Sequence, residues 1–237
     1  MSGSVMMTES TSIFDRNQQV QARISVACDR AKRAREDVQL VAVSKNHPPE
    51  AVEEAADAGL HLFGENRVQE AAQKIPACRS NLTWHLIGHL QTNKVKLAVP
   101  LFDMIHSVDS LRLLQAVNDA SAAAGRTLQV LIQVNTAGER SKFGLAPDEL
   151  EPLLECATKC LNIDVMGLMT IPPIAEDPEK VRPFFAATRE LRDRVRASTG
   201  FALDELSMGM SHDLEVAIEE GATFVRVGTD LFGKRII

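Results

Sequence analysis

This sequence predicts an α/β fold, a single (β/α)8 TIM barrel with an extra N-terminal helix. Three observations lead there. About eight short apolar runs alternate with helical stretches, as strands and helices do around a parallel sheet. The runs are apolar at consecutive positions, as in Leu40-Val41-Ala42-Val43, the pattern of strands covered on both faces. The length, 237 residues, suits one closed barrel of roughly 250. An open doubly wound sheet shares the alternation, but the strand count favours closure.

Residues 11–37 contain neither proline nor glycine, and Ile13, Val20, Ile24 and Ala27 recur at helical spacing, so a helix precedes the barrel. Residues 1–38 are assigned to that N-terminal segment and 39–237 to the barrel. The first strand, 40–45, ends in Ser44 and Lys45; Pro48-Pro49 then opens a helix over 50–58 that Gly59 stops. The second strand, 61–63, empties into Gly64-Glu65-Asn66 before a helix toward Ile75. The third, 84–87, breaks into a polar turn from Gly88 to Lys94. The fourth, 102–106, precedes a helix capped by Asp109 or Ser110 and stopped by Gly125. The fifth, 128–134, ends in Asn135-Thr136, and a helix over 148–160 leads to the sixth, 163–169. A long helix over 179–197 tolerates Pro183 near its start. The seventh strand, 203–207, runs into Met208-Gly209-Met210-Ser211 and a helix over 213–220, and the eighth, 224–227, runs into Gly228-Thr229.

A net charge of -6 argues against a surface that grips phosphate backbones, so no nucleic-acid partner is expected. Residues 1–10 lack the regions of a signal peptide, and no apolar run reaches the roughly 18 residues of a membrane span. A cytoplasmic protein without a membrane partner is expected. Cys28, Cys78, Cys156 and Cys160 contain no two-residue-spaced pair of the zinc-site kind, so neither a metal nor a disulfide is assigned. No apolar heptad stands out, which favours a monomer.

Polar residues gather where the strands end: Lys45, Asn66, His89, Asn135, Ser207, Ser211, Arg226, Gly228 and Thr229. In barrels, that face carries the active site. Lys45 is a candidate Schiff-base former, because partial desolvation lowers an amine from ~10.4 and frees its lone pair. A strand-closing lysine that reaches solvent gives the same pattern. The two last loops, 207–211 and 226–229, carry small residues and hydroxyls where barrels recurrently bind phosphate, and together they suggest a phosphorylated ligand. Ordinary turn and cap residues look alike at either loop taken singly. Met169, Met208 and Met210 read as packing that could also wall an aromatic ring, and His89 as a solvated loop residue.

The segments Ala42-Val43-Ser44-Lys45, Phe63-Gly64-Glu65-Asn66, Trp84-His85-Leu86-Ile87-Gly88, Leu90-Gln91-Thr92-Asn93-Lys94, Gly167-Leu168-Met169, Leu206-Ser207-Met208-Gly209-Met210-Ser211-His212-Asp213 and Val225-Arg226-Val227-Gly228-Thr229 resemble, in order, those of the pyridoxal phosphate homeostasis protein family. The resemblance runs from Leu40 to Gly233 and implies a fold similar to the barrel domain of alanine racemase and eukaryotic-type ornithine decarboxylase. It implies that Lys45 holds pyridoxal 5'-phosphate as a Schiff base and that Ser211, Gly228 and Thr229 bind the phosphate, with Ser207 nearby. Arg226 would face the pyridine nitrogen or the phosphate, Asn66 would line the ring's pocket, and Met169 would wall it. The family pattern has threonine or a similar residue after the lysine; here Asn46-His47 follows.

The function this implies is intracellular vitamin B6 homeostasis: holding the cofactor and buffering it or delivering it to apoenzymes, without catalysis. Two other readings compete, a pyridoxal phosphate-dependent racemase-like enzyme and a cofactor-free Schiff-base aldolase. Alanine racemase uses a tyrosine as a base, and this chain has no tyrosine. The chain also ends at Ile237, so the β-rich domain that completes the racemase site is not expected.

Overall fold

The computed structural model describes residues 11–139 and 143–233. Residues 1–10, where no targeting segment is expected, lie outside them. Eight parallel strands close into a barrel in sequence order, β8 pairing back onto β1. They are β1 (Gln39–Val43), β2 (Leu62–Glu65), β3 (Thr83–Leu86), β4 (Met104–Val108), β5 (Leu128–Gln133), β6 (Ile163–Met169), β7 (Glu205–Met210) and β8 (Phe224–Val227). The helices are α1 (Ile13–Ala31), α2 (Pro49–Asp57), α3 (Val68–Lys74), α4 (Val95–Ala98), α5 (Leu111–Ala123), α6 (Leu150–Ala157), α7 (Arg182–Thr199), α8 (Leu214–Glu219) and α9 (Thr229–Phe232). Among the described residues no helix is long and apolar enough to cross a membrane.

The unbroken apolar runs divide between two cores because successive side chains of a strand point to opposite faces. Val41 and Val43 of β1 join Ile87, Met104, Leu131, Met169 and Phe224 in the barrel interior. Leu40 and Ala42 face outward into the larger layer between strands and helices. Each fully buried aliphatic side chain contributes roughly 1.5–3 kcal/mol, so the outer layer dominates stability while the inner one shapes the floor beneath the strand ends.

The extra helix α1 begins at Ser12, whose Oγ accepts from Asp15 N–H at 3.1 Å in a capping box. It buries Ile13, Val20, Ile24 and Ala27 and packs on α8 and α9. Ser110 caps α5, accepting from Leu113 N–H.

Several boundaries differ from the sequence reading. β1 stops at Val43, so Lys45 stands in the turn beyond it, with Asn46 at φ 62°. β7 extends to Met210, placing Ser207 and Met208 inside a strand rather than at its end. The extension uses Gly209 at φ 90°, where an added Cβ would lie 2.5 Å from Ala217 Cβ, so the chain bulges against α8. Arg226 sits within β8, as the strand bounds 224–227 have it, and not in the loop that follows. The helices predicted from 148 and 179 start later, because Pro147 and Pro178 each open a short 3-10 turn first.

Candidate functional site

A cavity of about 490 Å³ opens where the strands end. Lys45, Asn66, Ser211, Arg226, Gly228 and Thr229 all line it, brought together from the ends of β1, β2, β7 and β8. Val43 and Ile87 make its apolar floor, and Ile171 and Ile174 stand at its rim. Ile174 is 96% exposed, so the mouth faces solvent. Two predicted residues are not among the lining. Met169 is buried in the barrel interior, and Ser207 reaches the cavity only through Arg226. Asn135 donates to Glu139 O, and Met208 is buried in the outer layer. His89 stacks on Phe143 with centroids 3.7 Å apart and pairs with Asp109 at 3.2 Å. It belongs to a neighbouring polar cavity that also holds Arg67, Gln91 and Lys94.

Beneath Arg226 lies a chain of buried polar groups that spans the barrel. Arg226 Nη1 donates to Ser207 Oγ at 2.6 Å, and its Nη2 donates to Thr170 O at 3.0 Å. Ser207 Oγ lies 2.9 Å from His106 Nδ1, and His106 Nε2 lies 2.9 Å from His85 Nδ1. A guanidinium only donates, so the Ser207 hydroxyl accepts from Arg226 and keeps one proton and one further lone pair to share with His106 Nδ1. The same distances suit two arrangements of neutral rings, with protons passed from Ser207 toward His85 or from His85 toward Ser207. Burial keeps both imidazoles neutral: it lowers His85 to about 4, and it holds His106 well below the ordinary histidine value, aided by the neighbouring His85 and the Arg226 charge. Burial also lowers Arg226 to about 10, opposed by the Asp213 carboxylate, so the guanidinium remains charged at neutral pH.

The loop that carries Ser211 is held from two sides. Asp213 Oδ1 accepts from Met210 N–H at 2.6 Å, closing the turn after β7. From α1, Arg23 donates to Ser211 O at 2.8 Å and forms ion pairs with Glu215 and Asp230 at 2.6 and 2.5 Å. The N-terminal helix thus ties together the loops that present Ser211 and Thr229.

Sequence reasoning missed His47, His212 and the two rim isoleucines as lining residues. It also missed the interior pair His85 and His106. The two residues are 21 apart in sequence, and the pairing of β3 with β4 brings the rings together. Among the described residues no three His, Cys, Asp or Glu side chains are grouped to hold a metal ion.

Comparison with known proteins places this geometry. The family model for the alanine racemase N-terminal domain matches residues 17–235. The pyridoxal phosphate homeostasis protein of Aquifex aeolicus is 47% identical over 222 residues, covering 93% of this chain and 97% of its own length. The protein of the same name from Escherichia coli is 41% identical over 222 residues, covering 92% and 94%. The structure of PipY from Synechococcus elongatus with PLP bound superposes with a TM-score of 0.84 at 38% identity, covering 93% of this chain and all of that one. An alanine racemase from Clostridium difficile shares the fold at a TM-score of 0.74 and 16% identity, with this chain spanning 58% of it. The chain belongs to the alanine racemase N-terminal domain family and, within it, to the pyridoxal phosphate homeostasis proteins.

Proposed function

We propose that this protein binds pyridoxal 5'-phosphate through Lys45 and serves vitamin B6 homeostasis by holding the cofactor and passing it on, without turning over amino acids. The observation that carries the reading is the convergence in one open cavity of an amine, a buried guanidinium and two hydroxyl-bearing loops. These residues fit the group. The Oδ1 end of the Asn66 amide is buried with no partner among the described residues, ready for a polar ligand atom. When bound, the cofactor supplies an aldehyde that a primary amine can capture and a phosphate dianion.

Lys45 provides the amine. Ser211 and Thr229 provide hydroxyl donors, and the backbone at Gly228 allows close approach of an anion. Arg226 can only donate, whether it meets a ring nitrogen or a phosphate oxygen, and its Ser207 and Thr170 contacts hold its plane before any ligand arrives. Val43 and Ile87 exclude water from the floor, while the exposed rim leaves the outer face reachable. Reachability suits handover to recipient apoenzymes better than carbanion chemistry, which needs water kept out. Absence of tyrosine from the sequence also speaks against a racemase. A monomer in the cytoplasm completes the proposal.

The test is direct. The purified protein is mixed with pyridoxal 5'-phosphate, reduced with borohydride and digested for mass spectrometry. An adduct on Lys45 is expected; an unmodified Lys45 alongside another labelled residue refutes the assignment. The racemase-like reading, favoured by the family model alone, is tested by exchange of the α-proton of amino acids in deuterated water.

A further inference from the structure

Lys74, at the C-terminal end of α3, has a side chain only 4% exposed. Burying an ammonium is costly unless each proton meets an acceptor. Here all three do: Ser44 O at 2.7 Å, Glu65 Oε1 at 2.6 Å and Glu70 Oε1 at 2.9 Å. The acceptors are themselves committed to the chain around Lys45. Glu65 Oε1 accepts from Ser44 Oγ at 2.7 Å, and Glu70 Oε1 accepts from Asn46 N–H at 2.6 Å. The residues before and after Lys45 are therefore gripped by one ion cluster, through the carbonyl of 44 on one side and the N–H of 46 on the other. The grip holds Asn46 at φ 62°, a backbone conformation that side-chain-bearing residues adopt uncommonly.

We propose that Lys74 is a positioning residue for Lys45: acting with Glu65 and Glu70, it clamps the 44–46 turn and sets the approach of the Lys45 amine to an aldehyde. The inference rests on the reading that Lys45 captures pyridoxal 5'-phosphate. In that capture the amine nitrogen bonds to the aldehyde carbon, and the carbonyl oxygen leaves as water with the two amine protons. The step needs the lone pair aimed at the carbonyl, so the attitude of the turn governs it. Lys74 is not a rival nucleophile, because its protons are held between two carboxylates. A buried ion pair of purely structural use needs no particular acceptors. This one spends its contacts on the two residues that flank Lys45.

The experiment uses the full chain and two ligands, pyridoxal 5'-phosphate and pyridoxine 5'-phosphate, which keeps the ring and phosphate but carries an alcohol in place of the aldehyde. Adduct formation is followed by visible absorbance and borohydride-trapped mass, and binding of the alcohol by calorimetry. In Lys74→Met, a displacement of the amine by about 1 Å should slow adduct formation on the order of 100-fold, while affinity for the alcohol is retained. Glu70→Ala leaves the Lys74–Glu65 pair intact and should act in the same direction. It decides the matter if Lys74→Met fails to fold. Glu70→Gln keeps an acceptor for Asn46 N–H and should restore the rate. Unchanged adduct formation in Glu70→Ala overturns the inference. So does an equal loss of both ligands, which marks a merely structural cluster. A wild-type protein that traps nothing on Lys45 overturns the parent reading instead.

Discussion

Acidification should weaken this protein by an amount that one imidazole reports. His85 is 5% exposed in the barrel interior, and burial lowers its pKa to about 4 from 6.5. Between those values the unfolded chain binds a proton at this residue and the folded chain does not. Stability contributed by the neutral ring is therefore complete above about pH 6.5, falls as pH drops below it, and levels off near pH 4. A depression from 6.5 to about 4, at roughly 1.4 kcal/mol per unit, amounts to about 3 kcal/mol. His106 adds to the loss in the same direction. Urea unfolding at pH 7 and pH 4, followed by circular dichroism, measures the total, to which carboxylates also contribute. His85→Gln separates the terms: the amide does not titrate in this range, and its oxygen can still accept from His106 Nε2. The variant should lose about 3 kcal/mol less than wild type between the two pH values. Equal losses in the two proteins would refute a neutral, buried His85.

Four further outcomes are expected. Lys45→Ala should fold with an unchanged circular dichroism spectrum and yield no borohydride-trapped adduct at wild-type stoichiometry. Pyridoxal should bind more weakly than its phosphate by several kcal/mol, if two or three charge-assisted hydrogen bonds of roughly 1.5–3 kcal/mol each are lost; equal affinities by calorimetry would remove the role given to Ser211, Gly228 and Thr229. Arg23→Met should reduce that preference for the phosphate without touching any lining residue, since Arg23 holds Ser211 O and pairs with Asp230 beside Thr229; the ratio of the two affinities, wild type against variant, is the measurement. Wild-type protein loaded with cofactor should show no sustained racemisation or transamination, and multiple turnover abolished by Lys45→Ala would restore the enzyme reading.

The barrel was legible because each strand announces itself locally, by an apolar run bounded by turn residues. The strand bounds of β6 and β8 agree residue for residue with the sequence reading. What escaped depends on closure. Ser207 and Arg226 look like loop residues because they are polar and sit near glycines, yet both point into the barrel from within strands. Lys74 reads as an ordinary cation at a helix C-terminus, favoured there by the helix dipole. Its burial follows from how α3 docks against the turn after β1, which no local pattern encodes. His85 sits between Trp84 and Leu86 and His106 follows Ile105 in strand-like runs, so their polarity was the only sign that the interior carries a hydrogen-bonded chain.

That chain bears on why a barrel shared with racemases would hold a cofactor without exploiting it. Pyridoxal chemistry on amino acids draws electrons into the ring, and the draw is strongest when the ring nitrogen carries a proton. A carboxylate beside the nitrogen favours that proton. The cavity presents Arg226 instead, with donors only. Beneath it Arg226 donates to Ser207, whose hydroxyl is linked through His106 to His85, so the guanidinium is held by acceptors and offers none of its own. Burial opposes a second proton on His106 beside a buried guanidinium, so its ring stays neutral. If the guanidinium meets the ring nitrogen, the ring is a weak sink. If it meets the phosphate, it strengthens retention. Arg226→Glu distinguishes the two contacts: it lowers cofactor retention where the phosphate is the partner, and it shifts the visible absorption of the bound cofactor where the ring nitrogen becomes protonated. Retention and spectrum both unchanged would show that Arg226 touches neither.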